Sequence, residues 1–178
     1  MESVATAAGV TRMTVYNQFG SRLALVDAVL DQVVARDQLD RLVEGTQAME
    51  PDAAIRTAVH TTCRFWETER PLLRRLFAAA YTEPTIDDML HRREQWRRDQ
   101  FTALLRRLES HRESDDAQLS AVAHLLTAMT SFPTYDHLVA ALDIPDTVTQ
   151  LVDQLVAALV PPTPSVGPTA KTVTVEAR

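Results

Sequence analysis

An all-α fold follows from three features of the sequence. Apolar residues recur at helical spacing along most of the chain. Capping residues and prolines punctuate those stripes, while there are only four glycines and little that reads as a β-ribbon. A hydrophobic fraction of 46% with 6% aromatics suits an Ala/Leu/Val-rich helical protein. The pattern predicts about six to nine helices and no strands.

The first two helices are short, over residues 3–8 and 11–19, and meet at Gly9. Ser21 caps a long third helix whose apolar positions are Leu23, Val26, Val29, Leu30, Val33 and Val34. That helix decays near Gly45, and Pro51 marks a break. Asp52 serves as the cap of a helix through about Glu69, and Pro71 begins another that ends near Tyr81. Thr85 caps a long helix reaching about His111. Asp87 and Asp88 lie in its first turn, where carboxylates favour the positive end of the helix dipole. Ser114, Asp115 and Asp116 start the next, which runs to about Ser131 and is ended or kinked by Pro133. A short helix holds Tyr135, Leu138 and Val139, and Pro145 opens the last, through Val160. The remaining stretch, PPTPSVGPTAKTVTVEAR over 161–178, is proline-rich with little apolar mass and reads as a disordered tail.

Composition limits the function. No apolar run approaches the ~18 residues of a membrane span, and no basic segment followed by an apolar one opens the chain. Cys63 is the single cysteine, so no internal disulfide forms. These observations predict a cytoplasmic protein with no membrane partner. The net charge of −6 argues weakly against nucleic-acid binding. It is a whole-chain average, however, and an acidic chain can carry a small DNA-reading module.

The opening stretch MESVATAAGVTRMTVYNQFGSR has the makings of one. Ala5, Ala7 and Ala8 let a second helix cross closely, and Gly9 supplies the positive φ of a tight corner. Val10 fills the angle and Thr11 caps the second helix. Val15 and Phe19, four apart, face inward together. The other face holds Thr11, Arg12, Met13, Thr14, Tyr16, Asn17 and Gln18: polar, rich in hydrogen-bonding groups and almost uncharged. A solvated helix normally carries Glu and Lys there. Arg can bond guanine O6 and N7, Asn or Gln can bond adenine, and Met or Thr methyls can touch a thymine methyl. Thr11 and Tyr16 hydroxyls can reach phosphates. Ser21 and Arg22 form an anion site at the start of the third helix. Arg12 is either a base reader or a phosphate contact, and Asn17 and Gln18 are either readers or solvated.

The segment AGVTRMTVYNQFGSRLALVDAVL resembles the helix-turn-helix of the TetR family of bacterial transcriptional regulators. Ala8, Gly9, Val10, Thr11, Thr14, Val15, Tyr16, Phe19 and Ser21 match the family pattern. Arg22 stands where the family usually has Lys, and Met13 where a smaller residue is commoner. The match covers residues 1–35. It implies a helix-turn-helix DNA-binding module with its connecting helix over 1–44, and a helical ligand-binding and dimerisation domain over 45–160. The implied partners are double-stranded DNA, a second copy of the chain and an unidentified small-molecule inducer, with no cofactor. Family members carry a further helix ahead of the motif, which packs across the two short ones. Its absence uncovers Val4, Val15 and Phe19 at about 1.5–3 kcal/mol each. An upstream true start or a natural remnant would explain it.

In the larger part, Leu119, Val122, Ala123, Leu126 and Met129 form one broad apolar stripe. Val148, Leu151, Val152, Leu155, Val156 and Leu159 form another. Either the two stripes build a four-helix interface across a two-fold axis, or they meet inside one subunit. Candidates for lining a ligand cavity are Phe65, Trp66, Phe77, Met89, Trp96, Phe101, His124 and Phe132, with Met129 and Tyr135 beside them. Arg92, Arg93, Arg97 and Arg98 read as a solvated face paired with Glu94, Asp99 and Glu109, in preference to a surface for an acidic partner.

No enzyme is expected. A phosphate-binding glycine loop, a nucleophile elbow and a cysteine-pair metal site are all missing. His60, Cys63 and Glu67 share a helical face, but Cys63 reads better as a small buried apolar residue than as a ligand. The expectation is therefore a dimeric, ligand-responsive repressor on a palindromic operator. The alternative is a helical small-molecule-binding or dimerisation protein that has lost DNA binding with its first helix.

Overall fold

The computed structural model describes residues 1–36, 42–109, 116–142 and 145–159. Among them are nine helices and no strand. The all-α expectation therefore holds. The helices are α1 (Glu2–Ala8), α2 (Arg12–Phe19), α3 (Arg22–Arg36), α4 (Leu42–Gly45), α5 (Pro51–Ala80), α6 (Pro84–Glu109), α7 (Asp116–Met129), α8 (Phe132–Leu142) and α9 (Pro145–Leu159). None of the described helices is long and apolar enough to cross a membrane. The predicted tail over 161–178 lies outside the described residues.

The body is built on α5 and α6, which run antiparallel. At one end a short turn joins them. At the other, Arg107 of α6 donates to the carbonyls of Thr46, Gln47 and Met49, at 3.2, 3.1 and 2.9 Å, just ahead of α5. The core sits between this pair and α7–α9. It packs Ile55 and Val59 of α5 with Phe101, Leu104 and Leu108 of α6, and with Leu119, Leu126, Phe132, Tyr135, Val139, Val152 and Val156. A second apolar cluster joins Leu30 of α3 to Leu76, Ile86 and Met89, and seats α3 on the body.

The boundaries of α5 differ from the sequence expectation. Pro71 does not start a helix; it lies inside α5, which is continuous for 30 residues. An interior proline removes a backbone donor and crowds the preceding turn, at about 3 kcal/mol. The helix is held across it from both sides. Arg70 Nε donates to Asp136 Oδ1 of α8 at 2.6 Å, and Arg74 Nε donates to the same carboxylate at 2.8 and 2.9 Å. Leu73 and Leu76 beyond the proline are buried. Tertiary contacts override the local breaker. The start of α5 differs as well. Pro51 opens it, Glu50 precedes it without a side-chain cap, and Asp52 pairs with Arg56 one turn on.

Candidate functional site

The N-terminal head is assembled from local chemistry. Gly9 adopts φ 66° and ψ 27°, and its N–H closes onto the last carbonyls of α1. That left-handed corner suits glycine, since a Cβ would strain it. Thr11 is extended, and its Oγ1 accepts from the Thr14 N–H at 3.1 Å, capping α2. The Thr11 and Thr14 hydroxyls lie 2.8 Å apart. Val15 is 4% exposed and Phe19 is half-buried, so this pair anchors the helix from behind. Arg12, Thr14, Asn17 and Gln18 are exposed, Met13 is 67% exposed, and Tyr16 is half-buried with the Arg12 guanidinium 5.3 Å from its ring centroid. The face predicted to read DNA is thus the outward face of α2. A second corner, Gly20 at φ 74°, separates α2 from α3. Ser21 Oγ then accepts from the Ala24 N–H at 3.0 Å, which makes it the expected cap.

Three features of the head depart from expectation. Arg22 Nη2 donates to Glu83 Oε1 at 2.8 Å, so the cation of the predicted anion site is engaged by a carboxylate at the α5–α6 corner. Val15, expected to lose its cover, is buried, and Val10 is 43% exposed instead of filling the corner, while Val4 stays 41% exposed as expected.

Four ion pairs, made by three arginines, fix α3 to the body. Arg22 meets Glu83, Arg36 meets Glu69, and Arg93 Nη2 donates to Asp27 Oδ1 at 2.5 Å and to Asp31 Oδ1 at 2.7 Å. Burial alone would make Arg93 easier to deprotonate. Its hydrogen bonds to Asp27 and Asp31 outweigh that and hold it charged. Within the described residues α1 and α2 pack only on each other and on α3.

Behind α3 lies a cavity of about 380 Å³. Its α3 wall is Leu30, Asp31 and Val34, and its α5 wall is Phe65, Trp66, Leu73 and Phe77. From α6 come Leu90, Arg93, Glu94, Trp96 and Arg97. The volume falls in the range of small-molecule sites. Arg97, only 3% exposed, braces the floor. It donates to Glu94 at 3.0 and 2.6 Å, to the Thr130 carbonyl at 3.1 Å and hydroxyl, and to the Thr127 carbonyl at 2.6 Å. Its guanidinium carbon also lies 5.8 Å from the Trp66 ring centroid and 5.6 Å from that of Phe101.

No family model, curated protein or solved structure matches the chain.

Of the predicted cavity residues, Phe65, Trp66, Phe77 and Trp96 line it. Phe132 stands one layer back, its ring 5.8 Å from Trp66 and 5.1 Å from Phe77. Met89, Phe101 and Tyr135 are core residues away from the lining. His124 is corrected outright. It is exposed on α7, with Nδ1 at 2.8 Å from the Ser120 carbonyl and Nε2 at 3.3 Å from Arg98. The solvated-face reading of the arginines is corrected for two of the four: Arg97 is buried, though paired with Glu94 as expected, and Arg93 grips α3, while Arg92 is exposed and Arg98 half-buried.

The two apolar stripes are largely used within the chain. Leu119, Leu126 and Val152 are buried, and Val122 packs half-buried against the core. Leu151 is 38% exposed, and Leu125, absent from the predicted stripe, is 52% exposed. The side chains of Val148, Leu155 and Leu159 lie outside the described residues. Cys63 is buried, and burial, with Asp153 nearby, raises its thiol pKa to about 12. His60 and Glu67 are exposed, and no group among the described residues could hold a metal ion.

Proposed function

We propose that the protein is a ligand-responsive DNA-binding regulator of the TetR type, acting as a homodimeric repressor on a palindromic operator. One observation carries this reading. The helix Arg12–Phe19 presents a nearly uncharged hydrogen-bonding face outward, while Val15 anchors it from behind a left-handed glycine corner. Such a face suits base edges in a major groove. The cavity supports the ligand-responsive part, since α3 forms one of its walls and also carries the head. A ligand that binds one arrangement of α3 better than another shifts the population of heads able to reach two half-sites.

The test is a gel shift with the full chain on palindromic DNA flanking its own gene, at low salt. Binding is expected. Arg12→Ala should change sequence preference by about 1–3 kcal/mol at one base position, and Tyr16→Phe should weaken all sequences alike. Uniform loss in both variants would refute the division into reading and positioning roles. No binding at all would refute the regulator reading.

A second reading, a helical small-molecule-binding or dimerisation protein that does not read DNA, draws on the exposure of Val4 and Val10 in the head. Ligand binding without any DNA shift would favour it.

A further inference from the structure

The head has few charges to offer a phosphate backbone. Over residues 1–22 the charged side chains are Glu2, Arg12 and Arg22. Both arginines face a carboxylate. Arg12 Nη1 lies 4.0 Å from Glu2 Oε2, a loose contact between two exposed side chains of the head itself. The Arg22 contact is of another kind. Its Nη2 donates to Glu83 Oε1 at 2.8 Å, and the pair joins the first residue of α3 to the α5–α6 corner, 61 residues away in the chain. Among the described residues Glu83 is the only partner of the Arg22 side chain.

The two ends of this pair are held very differently. Glu83 is fixed by its backbone. Its N–H donates to the Ala79 carbonyl at 2.9 Å, and its own carbonyl accepts from the Ile86 and Asp87 N–H groups at 2.9 and 3.2 Å. Ile86 is buried in the cluster that holds Leu30 and Leu76, so the corner is seated on the body. The Arg22 side chain, by contrast, is 61% exposed and follows directly on Ser21, close to the end of the helix predicted to read DNA. A helix lying in a major groove has phosphates on both sides of it. A guanidinium grips phosphate and carboxylate through the same fork of donors. An exposed ion pair contributes little net stability, so exchanging one anion for the other is nearly balanced.

We propose that Glu83 stands in for a DNA phosphate: it holds Arg22 while the head is off DNA, and a phosphate takes Arg22 from it on binding. The contact is autoinhibitory. The proposal rests on the DNA-reading function proposed above and adds a regulation to it. Arg22 engages DNA only by letting go of the body, so any state of the body that strengthens the pair with Glu83 weakens binding by the same free energy.

Fluorescence anisotropy of the full chain tests it, with two labelled probes at low salt: a palindromic duplex from the DNA flanking its own gene and a duplex of random sequence. Glu83→Gln removes the competing charge and keeps the backbone bonds of the corner. It should bind both duplexes about two- to fivefold tighter than the native chain, the change expected from releasing an exposed ion pair. The gain should be alike for the two probes, since a phosphate contact carries no sequence information, and should fade as salt screens the pair. Asp88→Asn is the charge control. Asp88 is exposed near the same end of α6 and does not touch Arg22, so its removal should leave affinity close to native. An equal gain from Asp88→Asn overturns the proposal, because net charge alone would then explain the effect. Unchanged affinity in Glu83→Gln overturns it while the DNA-reading function stands, as does a gain confined to one duplex. If neither the native chain nor Glu83→Gln binds either duplex, the inference and the DNA-reading function fail together.

Discussion

Arg97 of α6 donates to the main-chain carbonyl of Thr127 on α7 across 2.6 Å, in an environment that leaves the arginine 3% exposed. The same side chain closes the end of α7 by bonding Thr130 and is balanced by Glu94. A buried guanidinium is tolerated only when its donors are occupied. Arg97→Met should therefore lose about 3 kcal/mol of unfolding free energy, because it takes the donor from the Thr127 carbonyl and the Glu94 carboxylate and leaves the Thr130 carbonyl to Trp66 alone. Urea denaturation followed by tryptophan fluorescence would read this as a lower midpoint. An unchanged midpoint would mean that the network adds nothing net.

Asp136 and Asp153 should respond to acid in opposite senses. Burial raises the pKa of Asp136, but its bonds to Arg70 and Arg74 outweigh that and leave it below the ordinary 3.8. Its stabilising contribution is complete above 3.8 and is lost as pH falls through the lower folded value. Asp153 is raised by burial, only partly offset by His60 and Arg56, and its Oδ1 has no partner among the described residues. Its carboxylate burdens the folded state at neutral pH, and the burden fades as pH falls through the raised folded value. Stability curves against pH should show Asp136→Asn less stable than the parent at neutral pH, with a flatter acid limb. Asp153→Asn should be more stable at neutral pH, with a gain that shrinks on acidification. Parallel curves for all three proteins would contradict both assignments.

Pro71 gives a prediction in the stabilising direction. With the helix already continuous across it, Pro71→Ala restores a backbone donor and removes the ring, at the expense of a freer unfolded chain. A net gain of about 1–3 kcal/mol is expected, visible as a higher thermal midpoint. A loss would show that the proline sets a bend that Asp136 needs.

Cys63 should be inert. It is buried, and its thiol pKa stands at about 12, so almost no thiolate exists at neutral pH. A chromogenic disulfide reagent should label it only after denaturant is added. Rapid labelling of the native chain would mean that α5 and α9 separate readily.

Local signals were the most legible. Gly9, Thr11 and Ser21 act through their own backbone and nearest neighbours, and the corner and caps they specify are the ones observed. Pro71 and Arg97 were misread because their behaviour is set by partners distant in sequence, Asp136 for one and Thr127 and Thr130 for the other. The spacing did contain a clue to Arg97. Ile86, Leu90, Arg93, Arg97, Phe101, Leu104 and Leu108 recur at steps of three and four, so both arginines fall within the apolar stripe of α6. Charge type suggested solvent, while register pointed inward. The aromatic half of the cavity was readable from composition, but its α3 wall was not. Leu30 and Val34 look like any apolar positions until the helix is seated on α5 and α6.

The attachment of α1 and α2 through α3 alone has a mechanical consequence. Fifteen residues of helix make a rod about 22 Å long. If that rod tilts by about 5° at its body end, its far tip swings by about 2 Å, simply by the geometry of a rod this long. A displacement of that size is several times the ~0.5 Å tolerance of a hydrogen bond to a base edge. Such a swing requires the Arg22–Glu83 pair beside that tip to open, so this exposed contact acts as a catch on how far the head can move.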